Sequence, residues 1–319
     1  MEKIILEMFD SGYEVDDIAC NFGIDVNYVK GVTSRREKKF LLSKSVDDLG
    51  NIHNKKIMVN ERKDNFIKVK LTDIRKFKAL LISDTHFGNS LQNINNLNIA
   101  YEYALENDIH IIIHAGDFID GTFTKGCQDI PDPRRQIKYA LENYPYDDGI
   151  LNLICLGNHD YSAIEKGIDI YNLMKKRKDL IVFAIGRGVI KIGNDYFLVK
   201  HPINKLHFRP ISNKLVLEGH KHKMMVTSRN DIFKLNIPPI SNMCFDKNQI
   251  YPGAIEMNLC LDNNFYIEKG NFINLCIIND RLIPVGEIVY NSSFKRDSLD
   301  EYDFGPIIDY ERPGRQYTK

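Results

Sequence analysis

The sequence predicts an α/β domain preceded by a small all-α module, and three observations predict it. Residues 1–40 read as helices only. From Ala79 to about Tyr290, short apolar runs alternate with segments of helical period, as in strands and helices packed in layers. Within that stretch, five strand candidates each run into Asp, Asn or His at their carboxyl ends, where open α/β sheets gather their ligands.

At the start of the chain, Ile4, Ile5, Met8 and Phe9 have helical spacing and stop at Ser11-Gly12. Val15 to Phe22 forms a second short helix, opened by Asp16-Asp17 near its positive end. Gly23-Ile24 makes the turn, and Asp25 caps a third helix through about Arg36. This run, with Ile18-Ala19, Gly23-Ile24 and Tyr28-Val29, resembles the helix-turn-helix of resolvase-like and sigma-like DNA-binding domains. In that family the helix after the turn enters the major groove. The positive residues come late. Lys30, Arg35, Arg36, Lys38 and Lys39 are the candidate phosphate contacts, and such contacts make binding salt-sensitive. Lys3 is the only Lys or Arg in the first 29 residues, so a module for protein contact is the competing reading.

Residues 41–77 are polar and Lys-rich and form either a linker or a hairpin laid on the main domain. Their one alternating stretch, Phe66 to Leu71, places Ile67, Val69 and Leu71 on one strand face. The main domain spans residues 78–290. Its strand candidates are Ala79–Ser83, Ile109–Ala115, Leu151–Leu156, Tyr196–Lys200 and Leu215–Glu218. Leu97, Ala100, Tyr101, Ala104 and Leu105 recur at helical spacing between the first two, with Asn107 as C-cap. Weaker helices are expected over Arg135–Asn143 and Asp169–Lys178. After Tyr251, Ala254–Leu261, Phe272–Ile278 and Leu282–Tyr290 alternate with turn residues, as in an antiparallel meander. Residues 291–319 are polar and contain Pro and Gly, so a poorly ordered tail is expected.

Composition narrows the function. With 319 residues and 43% hydrophobic content, the chain can bury one large core and a small second one. Lys+Arg and Asp+Glu balance at 43 each, so no whole-protein field draws it to nucleic acid or membrane. No apolar run approaches the roughly 20 residues of a membrane span, and the N-terminus lacks a signal-peptide pattern. The six cysteines are dispersed without a CxxC pair, as buried hydrophobes in a reducing compartment are. A cytoplasmic location is the expectation.

The chemistry lies at the strand ends. The first strand runs into Asp84-Thr85-His86, the second into Gly116-Asp117-Phe118-Ile119-Asp120, and the third into Gly157-Asn158-His159-Asp160. The fourth runs into His201 and the fifth into Gly219-His220-Lys221-His222. Five of the nine histidines occupy these positions, which composition alone does not explain. Carboxylate, carboxamide and imidazole without thiolate suit Mn²⁺, Fe or Zn²⁺. Such groups exceed what one ion needs and suffice for two. Two ions together clamp a phosphate, generate a hydroxide and stabilise the leaving oxygen. Glycine before Asp117, Asn158 and His220 lets the backbone turn sharply there.

That ordered set resembles the calcineurin-like metallophosphoesterase superfamily over roughly residues 78–290. The resemblance implies a four-layer α/β/β/α sandwich holding two divalent ions, manganese favoured. Carried over position by position, it implies that Asp84, His86 and His222 hold one metal. Asn158, His201 and His220 hold the other, and Asp117 bridges the two. It also implies that His159 protonates the leaving oxygen or steadies the phosphate, and that the Asp120 carboxylate orients His159. The superfamily's protein Ser/Thr phosphatases read GDxxDRG and GNHE, whereas this chain has Gly121-Thr122 after Asp120 and Asp160 after His159. The missing Arg argues against protein phosphatase activity.

His201 lies between Lys200 and Pro202 rather than in a glycine-rich context, with His207 as its substitute. His53, His110 and His207 read as surface or satisfied core histidines, and His114 as buried and hydrogen-bonded. Arg134 and Arg135 read as a solvated helix start. The leading functional expectation is a hydrolase of phosphodiesters, with nucleic acid favoured as substrate by the attached helix-turn-helix. Double-strand-break repair nucleases share this type of metal site. One alternative is a phosphatase or phosphodiesterase for small molecules such as nucleotides, with a regulatory N-terminal module. Another is a DNA-binding regulator with a catalytically silent metal domain.

Overall fold

A computed structural model of the chain describes Ile5 and residues 15–33, 39–46, 52–62, 66–71, 75–123, 127–206, 215–229, 232–243 and 251–292; for the three segments between 39 and 71 it describes the backbone alone. Two short helices come first, α1 (Val15–Phe22) and α2 (Val26–Thr33). They are separated by Gly23 in the left-handed region, a conformation glycine adopts without steric cost. Ile5, Ile18, Ala19 and Val29 form their buried core, and Val15, Ile24 and Val26 pack against it. The rest of the helix expected over Ile4–Phe9 and the extension of the third to Arg36 lie outside the described residues.

The other elements follow in chain order: β1 (Lys39–Val46), β2 (Ile52–Arg62), β3 (Phe66–Leu71), β4 (Lys76–Ile82), α3 (Ile94–Glu106), β5 (Ile111–His114), α4 (Pro133–Asn143), β6 (Leu151–Leu156), α5 (Asn158–Ile164) and α6 (Ile170–Met174). After these come β7 (Leu180–Ile185), β8 (Arg187–Ile192), β9 (Asp195–Lys200), β10 (Leu215–Glu218), β11 (Met225–Arg229), β12 (Ile232–Asn236), β13 (Gly253–Leu261), β14 (Ile267–Ile278) and β15 (Arg281–Asn291).

Hydrogen bonding joins these strands into one network, but its two halves meet through a single residue pair, Ile185 with Arg187, across Gly186. On one side of that hinge lies the sheet β7-β6-β5-β4-β13-β14-β15. On the other lies β1-β2-β3-β8-β9-β10-β12-β11, in which β3 runs parallel to β8. The stretch expected as a linker or hairpin is therefore a three-stranded extension of the second sheet. The two sheets face each other. Phe77, Ala79 and Leu81 of β4, Ile111 and Ile113 of β5, and Leu153 of β6 share one buried cluster with Ile190, Phe197, Val199, Leu217 and Leu235 of the second sheet.

Successive strand residues point to opposite faces, so Leu80, Ile82, Ile112 and Ile154 point away from that interior. They meet α3, α4, α5 and α6. Strands covered on both faces need no polar alternation, which is why Ile111–His114 and Leu151–Leu156 are buried throughout.

Helix ends carry local explanations. Asn93 and Asp132 cap α3 and α4 by accepting from Asn96 and Arg134 main-chain N–H groups, and Pro133 opens α4. Arg134 and Arg135 are exposed at that start.

The implied four-layer sandwich is present as three layers among the described residues. The far face of the second sheet carries Val189, Leu198 and Val216 with Tyr196, and no described helix contributes to that cluster. No helix among the described residues is long and apolar enough to cross a membrane. Cys127, Cys155, Cys260 and Cys276 are free thiols.

Candidate metal centre

Strands β4, β5, β6 and β7 run parallel, as do β9, β10 and β12, so their carboxyl ends open on common edges. The residues singled out at those ends come together. Asp84, His86, Asp117 and His222 form one group whose donor atoms lie within 4.8 Å of one another, and Asp117, His201 and His220 form another. Asn158 joins the second group, its Oδ1 lying 3.1 Å from His201 Nε2.

Three of the histidines are aimed inward by the same device. His201 Nδ1 lies 2.7 Å from the Ala115 carbonyl, His222 Nδ1 lies 2.7 Å from the Met243 carbonyl, and His86 Nδ1 lies 3.2 Å from the Asp120 carboxylate. A proton on each Nδ1 leaves the Nε2 lone pair facing the cluster, the arrangement that second-shell partners impose on metal-ligating histidines. His201 Nε2 then faces Asp117 Oδ2 at 3.0 Å, and His222 Nε2 faces Asp84 Oδ1 at 3.1 Å. His86 Nε2 stands 3.7 Å from both Asp84 Oδ1 and Asp117 Oδ2.

Asp84 Oδ1, Asp117 Oδ2 and His86 Nε2 are three of the eight buried side-chain atoms without a hydrogen bond among the described residues, and these three converge. Buried polar atoms in proteins are rarely left unsatisfied. Lone pairs that converge without donors fit a cation.

Electrostatics agree with that fit. Burial is the largest influence on His86 and disfavours its charge. The hydrogen bond to Asp120 and the nearby Asp84 and Asp117 carboxylates overcome it, raising His86 to about 10. The same contest at His201, led by burial and won by Asp117, ends at about 9. Burial also opposes ionisation of Asp84 and Asp117, yet His222 holds the first, and His201 the second, below the ordinary carboxylate range. The cluster draws in positive charge strongly enough to offset desolvation, and a divalent ion meets that demand.

The backbone is bent to make this possible. Asp84, His86, Asp117, His220 and His222 all have positive φ, between 48° and 77°. Such residues cost of order 1–3 kcal/mol each and concentrate at functional sites, and Asp and His tolerate the region better than most. Glycine clears the space between the loops. A Cβ at Gly116 would strike the His201 ring, and one at Gly157 would strike the Asp117 carboxylate.

Asp120 differs from its expected role. Its carboxylate accepts from Asn89 Nδ2 at 3.0 Å and Gln128 Nε2 at 2.6 Å, and it faces His86. His159 Nδ1 instead lies 2.7 Å from the Asp120 main-chain carbonyl, with the carboxylate at 3.6 Å. The i+3 spacing brings Asp120 to His159, but the main chain makes the closer contact.

His159 Nε2 is left facing the site, 4.0 Å from Asp117 Oδ2. Burial pulls its imidazole below the ordinary value. His114 is buried and hydrogen-bonded as expected. Its Nδ1 accepts from Gly116 N, and Nε2 pairs with Thr85 Oγ1, which donates to the Phe118 carbonyl. Burial lowers His114 to about 3, which keeps it neutral. His110 is satisfied by Asp108 and Gly149. His207 lies outside the described residues, as does the side chain of His53.

Sequence reasoning assigned no role to Asp160. Its buried carboxylate accepts from Gly157 N at 2.7 Å, Phe118 N at 3.0 Å and Ile119 N at 2.9 Å, tying the Asp117 loop to the start of α5. An amide there has to present N–H to N–H at one oxygen position. Asp160→Asn is expected to lower stability by about 1–3 kcal/mol, read as a reduced urea midpoint. An unchanged midpoint would remove Asp160 from this bracing role.

A two-sheet α/β fold whose strand ends gather a buried His/Asp cluster suited to divalent cations defines the class, a metal-dependent hydrolase acting on phosphoric ester bonds. Residues 77–242 match the family model of the calcineurin-like phosphoesterases, and the chain belongs to that family. Solved structures similar to it include Vacuolar Protein Sorting 29 from Cryptosporidium parvum, with 14% identity over 68% of this chain and 99% of that one and a TM-score of 0.42. A novel archaeal phosphodiesterase has 18% identity, over 62% of this chain and 100% of its own, with a TM-score of 0.37. The E. coli phosphoesterase Yfce has 12% identity, over 66% and 98%, with a TM-score of 0.40. No curated protein matches.

Proposed function

We propose that the protein hydrolyses phosphodiester bonds, nucleic acid foremost, with two divalent cations, preferentially manganese. Asp84, His86, Asp117 and His222 take one, and Asp117, Asn158, His201 and His220 take the other. The carrying observation is the convergence of Nε2 and carboxylate lone pairs that lack donors of their own. Bound there, a pair of cations supplies an activated water and offsets the charge on the phosphate.

The chain's own groups do the rest. Asp117 belongs to both donor groups and fixes their spacing. The Asp120 carboxylate, held by Asn89 and Gln128, aims His86. His159 is anchored through Nδ1 to the Asp120 carbonyl and presents Nε2 to the leaving oxygen. Water adds to phosphorus, the bond to the leaving oxygen breaks, and a proton ends on that oxygen by way of Nε2.

Support for nucleic acid comes from the N-terminal helices. Asn27, Tyr28 and Lys30 form an exposed face of α2 beside buried Val29, as a helix that reads a groove requires. Arg35, Arg36 and Lys38 lie outside the described residues. Lys39 opens β1, and its side chain is not described. Incubation with Mn²⁺ and end-labelled single- and double-stranded DNA tests the reading. Cleavage absent from an Asp117→Asn control is expected. Hydrolysis of bis(p-nitrophenyl) phosphate without DNA cleavage would keep the metal site and discard nucleic acid.

A further inference from the structure

The loop that carries Asp120 also carries an aromatic residue, Phe123, that belongs to none of the buried core clusters. Phe123 is 56% exposed, and its ring rests 5.2 Å from the His159 imidazole, tilted by 58°. Its base is rigid. Gly121 N donates to Gln136 Oε1 at 2.8 Å, the Gly121 carbonyl accepts from Gln128 and Gln136, and Thr122 N donates to Ser162 Oγ at 2.9 Å.

His159 does not need Phe123 for support. Its Nδ1 is held by the Asp120 carbonyl and its main-chain N–H by Asp117. A second exposed apolar side chain, Leu91, stands on the loop after His86, which is tied to the Asp120 loop through Ser90 N and the Cys127 carbonyl. Single exposed hydrophobics are ordinary. One whose ring lies beside the histidine proposed to face the leaving oxygen is placed for contact with substrate.

We infer that Phe123 is a stacking platform for a nucleobase on the leaving-group side of the scissile phosphodiester, so that the substrate class is base-bearing diesters. The inference rests on the proposed phosphodiesterase reading, because the leaving-group side is defined by His159. An aromatic face accepts any base and discriminates little among them. Phe123 then lowers KM for diesters with a base, or another aromatic ring, beside the leaving oxygen and does nothing for those without one.

The test compares the Mn²⁺-loaded parent with Phe123→Ala, Phe123→Leu and Phe123→Trp. The substrates are the dinucleotide dApdA, its two counterparts with an abasic tetrahydrofuran on either side, and bis(p-nitrophenyl) phosphate. Phe123→Ala and Phe123→Leu are expected to raise KM for dApdA about tenfold, with one abasic counterpart unaffected. Phe123→Trp should keep the parental KM. Equal loss on every substrate would make Phe123 a prop for His159, and no change on dApdA would remove it from recognition; either outcome overturns the inference. A parent that hydrolyses bis(p-nitrophenyl) phosphate but no dinucleotide overturns this inference and leaves the phosphodiesterase reading standing. A parent inactive on every diester overturns both.

Discussion

Replacing Asp117 with Asn is expected to strip the protein of both divalent cations together and to cut phosphodiester hydrolysis by about 10³-fold or more, since the cations account for several kcal/mol of barrier lowering. Neither orientation of the new amide offers a cation two oxygen ligands. With its NH₂ in place of Oδ2, the atom that faces His201 Nε2 at 3.0 Å and His86 Nε2 at 3.7 Å becomes a donor to those nitrogens, with no lone pair left for a cation. With its NH₂ in place of Oδ1, it opposes the His159 main-chain N–H that donates there at 2.9 Å. Either way one negative charge leaves a buried cluster whose histidines depend on it. Metal content by mass spectrometry after dialysis, alongside turnover of bis(p-nitrophenyl) phosphate, reads both effects. Retention of one full equivalent of metal would mean that Asp117 is not shared.

Leu151–Leu156 and Leu215–Glu218 are legible to the residue, because each is a short, mostly apolar run stopped by a glycine. The pair β7 and β8 was not anticipated. Only Gly186 separates Leu180–Ile185 from Arg187–Ile192, so no cluster of turn residues marks the hinge between the sheets. Helix α5 begins at Asn158 itself, hidden because the residues that open it were read as ligands. The residue types of the cluster were legible from their order along the chain. Their positive φ values, and the Ala115 and Met243 carbonyls that aim His201 and His222, were not. Main-chain partners carry no side-chain signature, which is also why Asp120 was credited with its carboxylate and not its carbonyl.

Substituting His159 with Asn should leave metal content near the parental value while lowering kcat about 10²–10⁴-fold, the usual worth of a positioned proton donor. The geometry separates His159 from the proposed ligands. Its Nδ1 is engaged by the Asp120 carbonyl, and its Nε2 stands 4.0 Å from Asp117, farther than the His201 and His86 nitrogens. A third group of donor atoms unites His86, Asp120 and His159. There, however, the Asp120 carboxylate is already engaged by Asn89 and Gln128, so a cation would have to compete with their N–H groups. A proton donor matters most when the departing oxygen is a poor leaving group. The loss on an alkyl or nucleoside diester should therefore exceed the loss on bis(p-nitrophenyl) phosphate, whose phenolate departs without help. Equal losses on the two substrates would move His159 from proton transfer to phosphate binding. Metal lost in parallel with activity would make it a ligand and return the Asp120 cluster to the cation site.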